Sequence, residues 1–194
     1  GVLPLILRHV GIQPDQITIV TADEAGEKVA QEYGVRFVKH ALTRQNFKNV
    51  LDPIVGRGDF LLNLSVDVSS LALIKVCWEK GSLYLDPCIE PWPGGYTDPT
   101  VSPARRTNYA LREEALTLKD SKQRAPTAVL THGANPGLVS HLVKQALLNI
   151  AADTGVETAE PGTRADWAAL AHKLGVKVIH IAERDTQVGS RQKE

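Results

Sequence analysis

The sequence has 194 residues, 22 basic and 22 acidic, with 43% hydrophobic and 23% charged residues. That balance belongs to a folded globular chain and excludes a disordered or collagen-like one. The zero formal charge argues against nucleic acid as a partner, and no apolar run approaches a membrane span or a signal peptide. Cys77 and Cys88 have neither metal-site nor disulfide-framework spacing, which fits a reducing, cytoplasmic setting. The sequence contains no methionine and opens on Gly1. It therefore reads as a fragment cut at both ends; the alternative is a Met-poor protein after tag removal.

Residues 2–10 are apolar enough for the last turns of a helix. Residues 17–21 are β-branched and predict a strand. Asp23 opens a helix to Tyr33, which Gly34 ends. Residues 35–38 predict a strand, and Thr43 caps a helix running to about Val55, stopped by Gly56 and Gly58. Phe60 to Leu64 is a continuous apolar run of the kind buried on both faces of a parallel sheet. Ser69 or Ser70 caps the next helix, with Leu71, Ile74 and Trp78 in register and Gly81 at its end. Residues 83–85 form a strand, and the Pro- and Gly-rich stretch 87–95 a loop. A polar helix is predicted over 103–119, a strand over 128–130, and the clearest helix over 136–150, with Val139, Val143, Ala146 and Ile150 as its stripe.

Alternation of strands and helices with short connections predicts an α/β, Rossmann-like doubly wound parallel sheet. Residues 1–154 are assigned to this domain. Residues 155–162 read as a linker. A helix capped by Thr163 and a strand over 176–183 then begin a second, α+β domain over 155–194.

Ligands of open parallel sheets bind outside the carboxyl ends of the strands. Four polar clusters are predicted there: Asn63 to Asp67, Asp86 to Trp92, Thr131 to Gly137, and Glu183 to Asp185. Each has a plain structural reading too. Asn135 before Pro136 is an ordinary helix start, with Asn at the N-cap and Pro in the first turn, although a helix N-terminus also offers free N–H groups. Asp67 is placed to help start a helix, and Glu90 to be a solvated loop acid. Glu183 in an extended strand shares a face with Ile179 and Ile181, so it needs a cation or carries a raised pKa. The histidines give no metal-ligand spacing, and Cys88 has no base beside it in sequence. The G-x-G-x-x-G fingerprint is absent. If residues 2–10 end the first helix of a dinucleotide fold, the acid expected about 20 residues past the glycine loop falls near Thr21 to Asp23.

These strings, together with Ser102 to Arg112 and His180 to Gln187, resemble bacterial homospermidine synthase, within the wider saccharopine dehydrogenase-like group. The likeness runs through nearly the whole chain. It implies a Rossmann domain whose first strand and glycine loop lie outside this sequence, and a second domain used in dimerisation. It also implies an NAD-dependent enzyme that joins two putrescines into homospermidine and releases ammonia, the hydride being removed and then returned. Carried over residue by residue, Asn135 and Glu183 are the catalytic expectations. Asp67 and Glu90 join them around the diamine. Asn63, Leu64, Ser65, Ala134 and Pro136 are expected on the nicotinamide side, and Thr21, Asp23 and Thr43 on the adenosine side. Two rivals stand beside this reading. A reductive enzyme of the saccharopine or carboxynorspermidine type would take a carboxylate substrate and need Arg or Lys in its pocket. A non-catalytic nucleotide-binding or dimerisation module would bind NAD without turning over a diamine.

Overall fold

A computed structural model of the chain describes residues 2–119 and 124–183. The first unit, ending at Gly133, alternates helix and strand. Helix α1 spans Leu3–His9, followed by β1 (Thr18–Thr21), α2 (Glu27–Tyr33) and β2 (Arg36–Lys39). Helix α3 (Phe47–Leu51), β3 (Phe60–Leu62), α4 (Ser70–Lys80) and β4 (Leu83–Leu85) come next, then α5 (Asn108–Thr117) and β5 (Ala128–Val129). Every strand pairing is parallel: β1 with β2 in one sheet, and β3, β4, β5 in that order in another. This is the Rossmann-like arrangement expected from the alternation, and the helical end of residues 2–10 is α1.

Helix α4 shows why the sequence folds this way. The Ser69 hydroxyl accepts the Ala72 N–H at 3.3 Å, a side-chain N-cap. Gly81 ends the helix at φ 76°, a left-handed conformation that costs glycine nothing. Between the caps, Leu73, Ile74, Val76 and Cys77 are buried, and Leu73, Ile74 and Cys77 pack with Leu51, Val55, Val68 and Tyr84 in the main core. Trp92 closes that core from the loop after β4, its ring 5.4 Å from that of Phe47 in an edge-on contact. A smaller core of Leu3, Ala30 and Val35 lies under β1 and β2.

Several expectations shift. Helix α2 begins at Glu27 rather than Asp23, because the Asp23 carboxylate accepts the Ala25 N–H at 2.9 Å and holds a turn before the helix. Thr43 likewise makes a turn, accepting the Asn46 N–H at 3.3 Å, so α3 starts at Phe47 and stops ahead of Pro53. The polar helix starts at Asn108 with Thr107 as cap, and residues 103–105 are a separate single turn. The run 60–64 is not buried on both faces: Phe60 is 57% and Leu64 54% exposed, because β3 pairs with β4 alone among the described residues.

The second unit begins at Ala134, ahead of the boundary at residue 155 read from the sequence. It contains α6 (Leu138–Asp153) and α7 (Arg164–Lys173), which bury Leu147, Ala151 and Leu170 against each other. Thr163 caps α7 as expected, in a reciprocal box with Asp166. The α6 stripe is only partly used, since Ala146 and Ile150 stay exposed, as do Leu138 and Leu142 beside it. Residues 176–183 do not form the expected strand. They pair with no strand among the described residues, and Ile179 and Ile181 are about half exposed.

Candidate functional site

The carboxyl ends of β3, β4 and β5 bring three loops of the first unit together. Asn63 follows β3 directly, its N–H donating to the Leu85 carbonyl at 2.9 Å, and its side chain is buried. Its amide oxygen accepts from both the backbone N–H and the hydroxyl of Ser65, at 3.2 and 2.5 Å. That local clasp turns Leu64 and Val66 outward, 54% and 75% exposed. Asp67 then stands at φ 61°, a left-handed conformation strained for a side chain other than glycine.

Asp86 follows β4 and is fully buried. One carboxylate oxygen accepts the Tyr84 hydroxyl at 2.9 Å, the other the Thr131 N–H at 2.6 Å. The Asp86 carbonyl accepts the His132 N–H at 2.9 Å, so the loop after β5 is tied to the loop after β4. Gly133 completes this closure: a Cβ there would lie 2.9 Å from the Pro87 carbonyl oxygen.

Glu90 is pinned to the first turn of α4. Its N–H donates to the Ser70 hydroxyl at 3.0 Å, and its carbonyl accepts the Ser70 N–H at 2.9 Å. One carboxylate oxygen of Glu90 is buried with no hydrogen-bond partner among the described residues. Burial pushes its carboxyl above the ordinary range, and the charges of Asp67 and Asp86 push the same way. The Asp67 N–H and the Cys88 thiol draw it partly back. The plain reading of Glu90 as a solvated loop acid is therefore replaced by a half-buried carboxyl in acidic company. Burial, followed by the charges of Glu90 and Asp86, keeps the Cys88 thiol protonated, and Asn108 donates to its sulfur at 3.4 Å. Cys88 thus fills space rather than acting as a nucleophile. Tyr96, its hydroxyl donating toward the Ile89 carbonyl at 2.9 Å and the Asn108 amide oxygen at 2.6 Å, closes the loop; burial pushes its phenol up to about 12.

The ion pairs among the described residues lie elsewhere: Lys39 with Glu24, Lys48 with Glu79, Lys80 with Asp52 and Arg112 with Glu113. Asp67, Asp86 and Glu90 share one sheet edge without a paired lysine or arginine among the described residues. Such a site suits a cation and repels an anion. No group of three metal-ligating side chains occurs among the described residues.

The structure thus brings Asn63, Ser65, Asp67 and Glu90 together, with Leu64 on the exposed rim. Thr21 ends β1, Asp23 follows it in an exposed turn, and Thr43 is exposed in the turn before α3. Ala134, Asn135, Pro136 and Glu183 belong to the second unit. Asn135 is not the N-cap of α6: that place is taken by Gly137 at φ 130°, and Asn135 stands exposed before a cis peptide bond to Pro136. Glu183 is exposed, so the apolar face expected around it is not formed in the structure. Arg184, Asp185 and Gln187 lie outside the described residues. Sequence reasoning missed Ser70, Tyr84 and Tyr96 as parts of the site. The signal for Tyr84 was available: it alternates with Leu83 and Leu85 on a strand, and Asp86 two residues on falls on its face.

Residues 1–130 match the family described as saccharopine dehydrogenase NADP binding domain. A homospermidine synthase from Blastochloris viridis is 49% identical over 193 residues, 98% of this chain and 40% of that protein. One from Mesorhizobium japonicum is 46% identical over 192 residues, 96% of this chain and 40% of that protein. The crystal structure of homospermidine synthase from Legionella pneumophila in complex with NAD superimposes with a TM-score of 0.81 at 48% identity, covering 98% of this chain and 39% of that one. The chain therefore spans about 40% of the length of the relatives it matches.

Proposed function

Because the chain belongs to the saccharopine dehydrogenase NADP binding domain family, we propose that it is the cofactor-binding part of a homospermidine synthase that condenses two putrescines with release of ammonia. The observation that carries this reading is the set of carboxyls at the β3–β4 edge, Asp67, Asp86 and Glu90, with no paired lysine or arginine among the described residues. A diamine is a dication that supplies the missing charge. A substrate of the saccharopine type carries carboxylates and would meet repulsion here.

The cofactor named with the Legionella structure is NAD, and the residues present fit it. Outward-facing Leu64 and Val66 flank the Ser65 hydroxyl at the end of β3, an apolar rim beside a polar group suited to a flat amide-bearing ring. Thr21 ends β1 and Asp23 follows it, where a ribose is held in such folds. NAD, when bound there, would supply the hydride-accepting and hydride-returning chemistry. The chain's own residues do the rest. Asp67 and Glu90 attract the ammonium ends of the diamine, and Glu90, its carboxyl held up by burial, takes a proton from an amine more readily than an ordinary glutamate. Asn135 and Glu183 are proposed to hold the reacting amine. The full-length enzyme is further proposed to be a cytoplasmic homodimer.

The test incubates the full-length enzyme with putrescine and NAD, and follows homospermidine and ammonia by mass spectrometry alongside NADH absorbance. Homospermidine with no net NADH supports the reading. Steady net NADH production or consumption favours the reductive rival. NAD binding with no diamine turnover favours the non-catalytic module.

A further inference from the structure

The Tyr84 hydroxyl is a crossing point that no substrate reaches. Tyr84 is 1% exposed and Asp86 0%. Around that one hydroxyl stand the Asp86 carboxylate, which accepts its proton at 2.9 Å, the Asn63 amide, which donates to it at 3.1 Å, and the Ser70 hydroxyl. A buried carboxylate without a cation is costly to keep, so a core position filled by apolar side chains would be the cheaper solution if packing were its whole purpose. What the carboxylate and phenol do is connect the three loops of the site. Through Asn63 they set the Ser65 clasp after β3. The phenol also stands beside Ser70, whose hydroxyl and N–H are bonded to the backbone of Glu90. Through the Thr131 N–H they hold the exit of β5 at φ 57°, again left-handed for a residue with a side chain. Burial and the Asp86 charge keep the phenol protonated, hence a permanent donor to Asp86.

We propose that Tyr84 and Asp86 are positioning residues that fix the distance between the cofactor-side loop at Asn63–Ser65 and the amine-side carboxyl of Glu90. The inference rests on the proposed reaction for its catalytic consequence. Neither residue touches the reacting atoms; each acts through the residue it holds. Loops that carry the correct groups but stand slightly apart still bind their ligands, and lose the alignment on which hydride removal depends.

The experiment compares Tyr84→Phe with the unaltered full-length enzyme. Phenylalanine keeps the ring and removes the crossing point. The expected result is a fall in kcat of fivefold or more, with KM for putrescine and Kd for NAD changed less than threefold. Hydrogen–deuterium exchange is expected to quicken in peptides covering 63–67 and 88–91 and to stay unchanged over β1 and β2. A kcat within fivefold of the unaltered enzyme overturns the proposal, whatever the melting temperature does. So does exchange that quickens throughout the chain, which marks a purely structural role. Should Tyr84→Phe fail to fold, Asp86→Asn is read by the same two criteria. It keeps the shape and the acceptor for Thr131 while facing the phenol with a second donor. If the unaltered enzyme makes no homospermidine, the proposed function fails. If it does and Tyr84→Phe matches it, only the positioning role fails.

Discussion

Replacing Gly133 with alanine tests whether the loops after β4 and β5 are fitted to each other. The added Cβ would lie 2.9 Å from the Pro87 carbonyl oxygen and 3.0 Å from its Cβ. Comfortable carbon contacts sit at about 3.5–4.0 Å, so the loops must part by roughly half an ångström or more. Neither side gives easily. The obstacle is the backbone and ring of a proline, and the Thr131 and His132 N–H groups are already bonded to Asp86 at 2.6 and 2.9 Å. Forced overpacking of this kind costs about 1–3 kcal/mol. Alanine returns about 0.4–1 kcal/mol by restricting the unfolded chain. The net expectation is a destabilisation of about 1–2 kcal/mol. Gly11→Ala is the matched control, since nothing lies within 4 Å of a Cβ there; it is expected to be neutral or slightly stabilising. Thermal and denaturant unfolding of both variants in the full-length enzyme, with diamine binding by calorimetry, measures the difference. A Gly133→Ala protein that melts and binds like Gly11→Ala would refute the claim that these loops are fitted in direct contact.

Further outcomes follow beside the Tyr84→Phe test. The Glu90 carboxyl is raised above its ordinary 4.5, so the folded protein holds this proton more tightly than the unfolded chain, and stability declines as pH rises from that value through the folded pKa. Glu90→Gln is therefore expected to raise the melting temperature of the diamine-free enzyme at pH 7–8 and leave it unchanged near pH 4, where both side chains are neutral. A diamine favours the charged carboxylate, so its affinity, followed by calorimetry, is expected to rise with pH over the same window and to lose that rise in Glu90→Gln. Ser70→Ala removes a buried acceptor from the Glu90 N–H, an expected loss of about 1–3 kcal/mol in unfolding experiments, together with a higher KM for the diamine. Burial pushes the Cys77 thiol up to about 11, so iodoacetamide at pH 8 is expected to leave it unmodified in the native enzyme and to label it after denaturation.

The legible part of the fold was the part governed by local chemistry. Gly34 and Gly81 ended helices at positive φ, Ser69 and Thr163 capped them, and the β-branched run ending at Thr21 paired in parallel with the strand after Gly34. Helix starts were misplaced where an Asx or Thr turn came first, as at Asp23 and Thr43: the same side-chain oxygen that caps a helix also closes a turn, and sequence does not say which N–H it will take. Asn135 failed for a related reason. Asn-Pro reads as cap and first turn, but Gly137 reaches a conformation closed to other residues and takes the cap two positions later. Residues 176–183 failed as a strand because alternation predicts a face, whereas a strand also needs a partner edge, which the described residues do not provide.

The site divides along the same line. Asp67 and Glu90 could be named from their place after apolar strands, since the sheet fixes where those strands end. What could not be read was that neither is ion-paired with a lysine or arginine among the described residues, and that a tyrosine in mid-strand binds Asn63 and Asp86 beside them. Both are properties of contacts between residues 20 or more positions apart, such as Asn63 with Tyr84 and Asp86 with Thr131. The chemistry assigned to the carboxyls depends on that second layer. An acid at a sheet edge is common. An acid whose backbone is bonded to Ser70, beside the phenol that also binds Asp86 and Asn63, is held in place before any substrate arrives. For the proposed reaction, in which a hydride is removed from an amine carbon and returned to the same kind of carbon one exchange later, a fixed carboxyl would let two successive amines meet the same geometry.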